Sequence, residues 1–104
     1  MAFTRIASLS KLPPGCVTEV FLGDCAYAIC NHDGELYALW GTCPHAHGPI
    51  GQGLLHGEWI VCPWHEWAFD CRTGANAYDP AVKLDRFAVR VDGDDVLMDP
   101  LQHA

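Results

Sequence analysis

The chain has 104 residues, enough for one small domain with a modest core. Thirteen acidic side chains stand against six Lys and Arg, a formal net charge of −7. That balance argues against a nucleic-acid partner, which needs a basic face, and suits docking on a basic protein surface. No apolar signal segment follows Met1-Ala2-Phe3-Thr4-Arg5, and no run reaches the roughly 18 apolar residues of a membrane span. The expected place is the cytoplasm, without a membrane anchor. There the six cysteines are expected as thiols or metal ligands, not as a disulfide scaffold.

Taken in order, Thr4–Leu9 reads as a short edge strand, and Lys11-Leu12-Pro13-Pro14-Gly15 as a turn. Cys16–Leu22 is a strand closed by Gly23-Asp24. Cys25–Cys30 alternates, with Tyr27 and Ile29 on one face and Ala26, Ala28 and Cys30 on the other. Asn31-His32-Asp33-Gly34 turns the chain into the strand Leu36–Trp40. Next comes a segment in which Gly48, Gly51, Gly53 and Gly57 exclude a long helix. Glu58–Val61 and Ala68–Asp70 read as short strands, Asp70–Gly74 as a turn, and Asn76–Ala81 as loop. Phe87–Val91 and Asp95–Met98 form a last hairpin about Asp92-Gly93-Asp94, and Leu101–Ala104 is expected to fray. Many short strands and no confident helix predict an all-β fold over 1–104, a small antiparallel sandwich or part-open barrel. Residues 41–71 project from it as a two-loop insert.

That insert carries the chemistry. It reads Cys43-Pro44-His45, then sixteen residues, then Cys62-Pro63-Trp64-His65. Thiolate and imidazole together suit structural zinc, copper, or a [2Fe–2S] cluster with two cysteines on one iron and two histidines on the other. Zinc fingers usually pair Cys with Cys and His with His. Here each loop carries one of each, as expected when each loop gives one ligand to each iron of a binuclear centre.

At these residues the sequence resembles the Rieske family, in particular its soluble ferredoxins. The matching positions are Cys43-Pro44-His45, Cys62-Pro63-Trp64-His65, Trp67, Phe69-Asp70 and Thr73-Gly74, and the likeness extends to the hairpins at 34–38 and 87–98. The resemblance implies one [2Fe–2S] cluster, with Cys43 and Cys62 on the inner iron and His45 and His65 on the outer iron through Nδ1. It implies a one-electron carrier, not an enzyme. Its partners would be a flavoprotein ferredoxin reductase that uses NAD(P)H and a terminal ring-hydroxylating oxygenase, and the carrier itself would be monomeric. Respiratory and photosynthetic relatives add a cysteine to each loop and join the two. Gly48 and Trp64 stand in those places here. This implies the disulfide-free branch, with a potential toward the lower end of the roughly −150 to +300 mV range of such clusters. A small subunit of an assimilatory nitrite reductase is the redox alternative, and a zinc-stabilised interaction domain the non-redox one.

The remaining candidates have plainer readings. His47 is expected as an exposed loop residue, and His32, His56 and His103 as solvated turn or tail residues. Cys25 and Cys30 read as small core hydrophobes, while Cys71, in a turn, is expected to be the accessible thiol. Trp67 is expected to pack over the centre, and Trp64 to pack there or to line a docking rim. No phosphate-binding glycine motif is present, so flavin and nicotinamide belong to a partner.

Overall fold

The computed structural model of the protein describes residues 3–43, 48–63 and 67–104. Nine strands form among them: β1 (Thr4–Ser8), β2 (Cys16–Leu22), β3 (Cys25–His32), β4 (Glu35–Trp40), β5 (Leu54–His56), β6 (Trp59–Val61), β7 (Ala68–Asp70), β8 (Arg86–Asp92) and β9 (Asp95–His103). Two single 3-10 turns, Leu9–Lys11 and Ile50–Gln52, are the helical elements among the described residues. The expected all-β fold is therefore present.

Six strands make one antiparallel sheet in the order β1-β9-β8-β4-β3-β2, and β5-β6-β7 make a second. The large sheet curls into a nearly closed barrel. Its open seam lies between β1 and β2, where Arg5, Ser8, Lys11, Thr18 and Glu19 help to line a cleft of about 330 Å³.

The alternation of β3 and β4 explains how the sheets stack. Tyr27, Ile29 and Ala38 point into the barrel with Phe87, Val96, Met98 and Leu12. Ala28, Cys30 and Leu39 point outward and meet Ile60, Phe69 and Leu84. Side chains two residues apart share a face, so one strand serves two cores. Both faces of the predicted Cys25–Cys30 strand are thus apolar for a reason. Phe69 is fully buried between the sheets. Phe69→Ala is expected to cost about 3–5 kcal/mol, read as a lower midpoint in denaturant melts.

Asn31 holds the two ends of this arrangement together. Its Nδ2 donates to the Leu12 carbonyl at 2.6 Å, and its Oδ1 accepts from the Gly34 N–H at 2.8 Å. Asp33 and Gly34 both take positive φ, as a two-residue hairpin turn requires.

The glycine-rich 48–57 segment holds no long helix, as expected, and Leu54–His56 in it pairs with β6 through Leu54↔Val61 and His56↔Trp59. Two expectations need correction. The last strand does not end at Met98. β9 bulges at Pro100, which has no N–H to donate, and then rejoins β8 at Phe87↔His103. The tail is accordingly docked, with the His103 ring edge-on to Phe87 at 5.3 Å.

Candidate metal centre

Two equivalent loops carry the two predicted cysteine ligands. The first leaves β4 at Trp40. Thr42 bridges Pro49, and the Cys43 N–H donates to the Gly48 carbonyl at 2.9 Å. The second leaves β6. Val61 pairs with Ala68, and the Cys62 N–H donates to the Trp67 carbonyl at 2.7 Å. Each loop is therefore a hairpin of the same length, rooted on a cysteine at the same place. That equality was not visible in the spacings C-x-H and C-x-x-H, which differ.

The neck of each loop is set by close backbone approach. The Ile50 N–H donates to Gly41 at 3.0 Å, and the Gly41 N–H to Ala26 at 3.0 Å. Gln52 Nε2 donates to Glu19 Oε1 at 2.8 Å, pinning the exit of the first loop to β2. At Gly53 a Cβ would lie 1.9 Å from the Val61 carbonyl oxygen, so only glycine lets β5 start against β6.

Cys43 and Cys62 are fully buried and share one core with Ile50, Ile60 and Phe69. None of the six cysteines is in a disulfide, in keeping with Gly48 and Trp64 at the places of the additional pair. Buried thiolates need a counter-charge, and a metal bound by both supplies one. Two soft sulfur donors at matched positions in one dry core thus fit an iron–sulfur centre. His45 and His65, the predicted nitrogen ligands, lie outside the described residues, as do His47 and Trp64. Trp67 packs on the core that holds both cysteines, as expected.

A third loop lies along β7. The Asn76 N–H donates to Val82 at 2.9 Å and the Ala77 N–H to Ala68 at 2.9 Å. Asn76 Oδ1 accepts from the N–H groups of Tyr78 and Asp79 at 2.8 and 2.9 Å. The predicted loop Asn76–Ala81 is therefore firmly tied. Asn76 was not singled out in the sequence, although an Asn two and three residues before its turn donors is the usual sign of such an anchor.

The joint between small sheet and barrel is polar at its rim. The Cys71 N–H donates to the Glu58 carbonyl at 2.8 Å, and His32 Nδ1 lies 3.1 Å from the Gly57 carbonyl. His32 is half-buried here and not simply solvated, because the β3–β4 and β5–β6 turns meet. Cys71 is likewise fully buried, not accessible. The turn directs its side chain into the core and leaves Arg72 outside.

Arg72 instead holds Asp70, with Nε to Oδ1 at 3.2 Å, Nη2 to Oδ2 at 3.1 Å, and its own N–H to Oδ1 at 2.8 Å. Burial alone would raise the Asp70 pKa, but the side-chain and backbone hydrogen bonds and the guanidinium charge outweigh it and hold the carboxyl below its ordinary value. A carboxylate held low stabilises the fold above its unfolded pKa of about 3.9, and the contribution vanishes as pH falls through the folded value. Asp70→Asn should cost roughly 1–3 kcal/mol at neutral pH and progressively less in acid, read as melts across pH. A pH-independent cost would sink this assignment.

Comparison with known proteins agrees with this geometry. Over 100 residues the chain is 38% identical to the ferredoxin component of biphenyl 2,3-dioxygenase from Rhodococcus jostii (strain RHA1), covering 95% of this chain and 94% of that one. Its structure is similar to the ferredoxin of carbazole 1,9a-dioxygenase from Nocardioides aromaticivorans IC177, with a TM-score of 0.85, 31% identity, and coverage of 96% and 99%. It also matches a chain in a complex of reduced oxygenase and oxidised ferredoxin of carbazole 1,9a-dioxygenase, with a TM-score of 0.86, 29% identity, and coverage of 98% and 95%. Residues 2–89 match the Rieske [2Fe-2S] domain, and the chain belongs to that family.

Proposed function

We propose that this chain is the one-electron carrier of a ring-hydroxylating dioxygenase system, taking electrons from an NAD(P)H-dependent flavoprotein reductase and delivering them to a terminal oxygenase. The observation that carries the reading is the pair of matched, cysteine-rooted loops in one core, within a chain that aligns almost end to end with dioxygenase ferredoxins. When bound, the [2Fe–2S] cluster supplies reversible storage of one electron.

Cys43 and Cys62 hold the inner iron, and His45 and His65 the outer iron. The ligand spacing supports this assignment, as does the equal placement of the two buried cysteines. Residues 1–104 act as a single domain, and about 41–71 form its cluster-binding part. The cytoplasm, where NAD(P)H is supplied, is the place for this carrier. No helix among the described residues is long and apolar enough to cross a membrane.

The chain's own part is to keep water from the two thiolates and to hold both loop roots still, which limits rearrangement on reduction. It also presents a docking face. Beside Cys62 lies a cleft of about 220 Å³ lined by Gln52, Gly53, Leu54, Val61 and Pro63, and Leu54 is 65% exposed at its edge. Leu54→Asp should leave the absorption spectrum unchanged and lower carrier-dependent turnover about tenfold at limiting carrier, as loss of one interface anchor does.

The reading is tested by purifying the holoprotein, reducing it, and recording EPR. A rhombic mixed-ligand signal is expected, followed by support of hydroxylation when reductase and oxygenase are added. A colourless protein with one zinc per chain would overturn it.

A further inference from the structure

We propose that the outer face of the small sheet, with Tyr78 as its anchor, is the surface on which the terminal oxygenase docks. The inference rests on the electron-carrier reading and adds to it the face, the anchor residue and the one partner served.

The face follows from strand register. Leu54 pairs with Val61, Val61 pairs with Ala68, and the Ala77 N–H donates to the Ala68 carbonyl at 2.9 Å. These four residues make one row across the sheet and the third loop. Alternation turns Leu55, Ile60 and Phe69 inward to the core, so the row points outward. Leu54 and Ala77 are exposed, Val61 and Ala68 are half-buried, and neither core includes any of the four. Val61 directly precedes Cys62, so this apolar row lies at the root of the second loop. His56, Trp59 and Asp70 form the next row on the same face.

Tyr78 closes the row at the third-loop end and is 72% exposed. Its backbone is nonetheless fixed. The N–H groups of Tyr78 and Asp79 donate to Asn76 Oδ1, and the Ala81 N–H donates to Asp79 Oδ1 at 3.1 Å. The Val82 N–H donates to the Asp79 carbonyl at 2.9 Å. A large ring presented on an ordered turn gives a partner contact area at little entropic cost, and tyrosine is enriched among such anchors. Exposed Leu54 is its counterpart at the opposite edge of the sheet.

Charge selects the partner. Glu19, Glu58, Asp70 and Asp79 border the two rows, against Arg72 and Lys83. Arg72 is already engaged by Asp70 and Glu58. The rim is therefore acidic, and it fits a protein patch with an apolar centre and a basic border. Reduction adds one more negative charge at the adjoining loops, so such a patch holds the reduced carrier more tightly than the oxidised one. The partner that must take up the reduced carrier is the electron acceptor, the terminal oxygenase. The reductase must instead release it.

The test is anaerobic titration calorimetry of the holoprotein with two purified proteins, all in the reduced state. One is the terminal oxygenase with which the wild-type carrier supports hydroxylation, and the other is the reductase of that system. Tyr78→Ala should raise the Kd for the oxygenase about tenfold or more, whereas Tyr78→Phe, which keeps the ring, should raise it less than about threefold. Ala77→Lys, which sets a cation in the row against a basic border, should weaken oxygenase binding as well. The Kd for the reductase should move less than about twofold in each variant. The EPR signal, reduction potential and melting temperature of Tyr78→Ala should match wild type, because the ring lies in water outside both cores. An oxygenase Kd unchanged by Tyr78→Ala or by Ala77→Lys would overturn the proposal. An equal loss toward the reductase would overturn the assignment to the oxygenase. A wild-type holoprotein that supports no oxygenase would instead overturn the carrier reading, and it shows before any variant is made.

Discussion

Cys62→Ser is expected to yield a nearly colourless protein, with bound iron and acid-labile sulfide reduced to about a tenth or less of wild type. Cys62 is fully buried at the root of the second loop, with its N–H committed to Trp67. Serine keeps the backbone but offers a hard hydroxyl in place of a soft thiolate, and at neutral pH that hydroxyl stays protonated. The loss extends to stability, because an absent metal removes folding energy and leaves a polar group in an apolar core. Cys43→Ser should behave alike, since the two loops are equivalent. Cys16→Ser, at a half-buried position on the barrel side, should keep full colour. Iron and sulfide assays with visible absorption read the result. A Cys62→Ser protein with full iron and an unchanged EPR signal would overturn the ligand assignment.

Gly74→Ala should be the most damaging of the small backbone changes. Gly74 has φ of +83°, and a Cβ there would sit 2.2 Å from the Leu84 carbonyl oxygen. That neighbour is backbone and cannot swing aside. The Leu84 N–H also bonds the Gly74 carbonyl at 2.9 Å, so relieving the clash breaks a paired contact beside buried Leu84. Left-handed strain of about 1–2 kcal/mol adds to the clash, and a total near 3–5 kcal/mol is expected. At roughly 4–8 °C per kcal/mol, the holoprotein should melt at least about 12 °C lower. Gly23→Ala is the control. Its φ is +62° but nothing lies within 4 Å of the added carbon, so it should cost only about 1 kcal/mol. Equal melting losses at the two positions would show that the clash contributes nothing.

The joint at 57–58 and 70–72 links stability to the site. Arg72 reaches both Asp70 and Glu58, at 3.1 and 3.4 Å, and all three lie at the far end of the strands that carry Cys62.

By itself the sequence determined most of the strands, the hairpin turns and the two Cys-His motifs at 43–45 and 62–65. These rest on local patterns: alternation over two residues, Asp33-Gly34, and ligand types at short spacing. The tertiary structure decided what local pattern cannot hold. Leu54–His56 became a strand because β6 offered it an edge. His103 stayed ordered because Phe87 gave its ring a surface beyond the Pro100 bulge. Cys71 turned inward because two sheets meet over it, while a turn in isolation would expose it. The equal length of the two loops is likewise a fact of pairing, set by Thr42↔Pro49 and Val61↔Ala68. Local chemistry named the cysteines, and only long-range hydrogen bonds could place them as equivalent roots in one core.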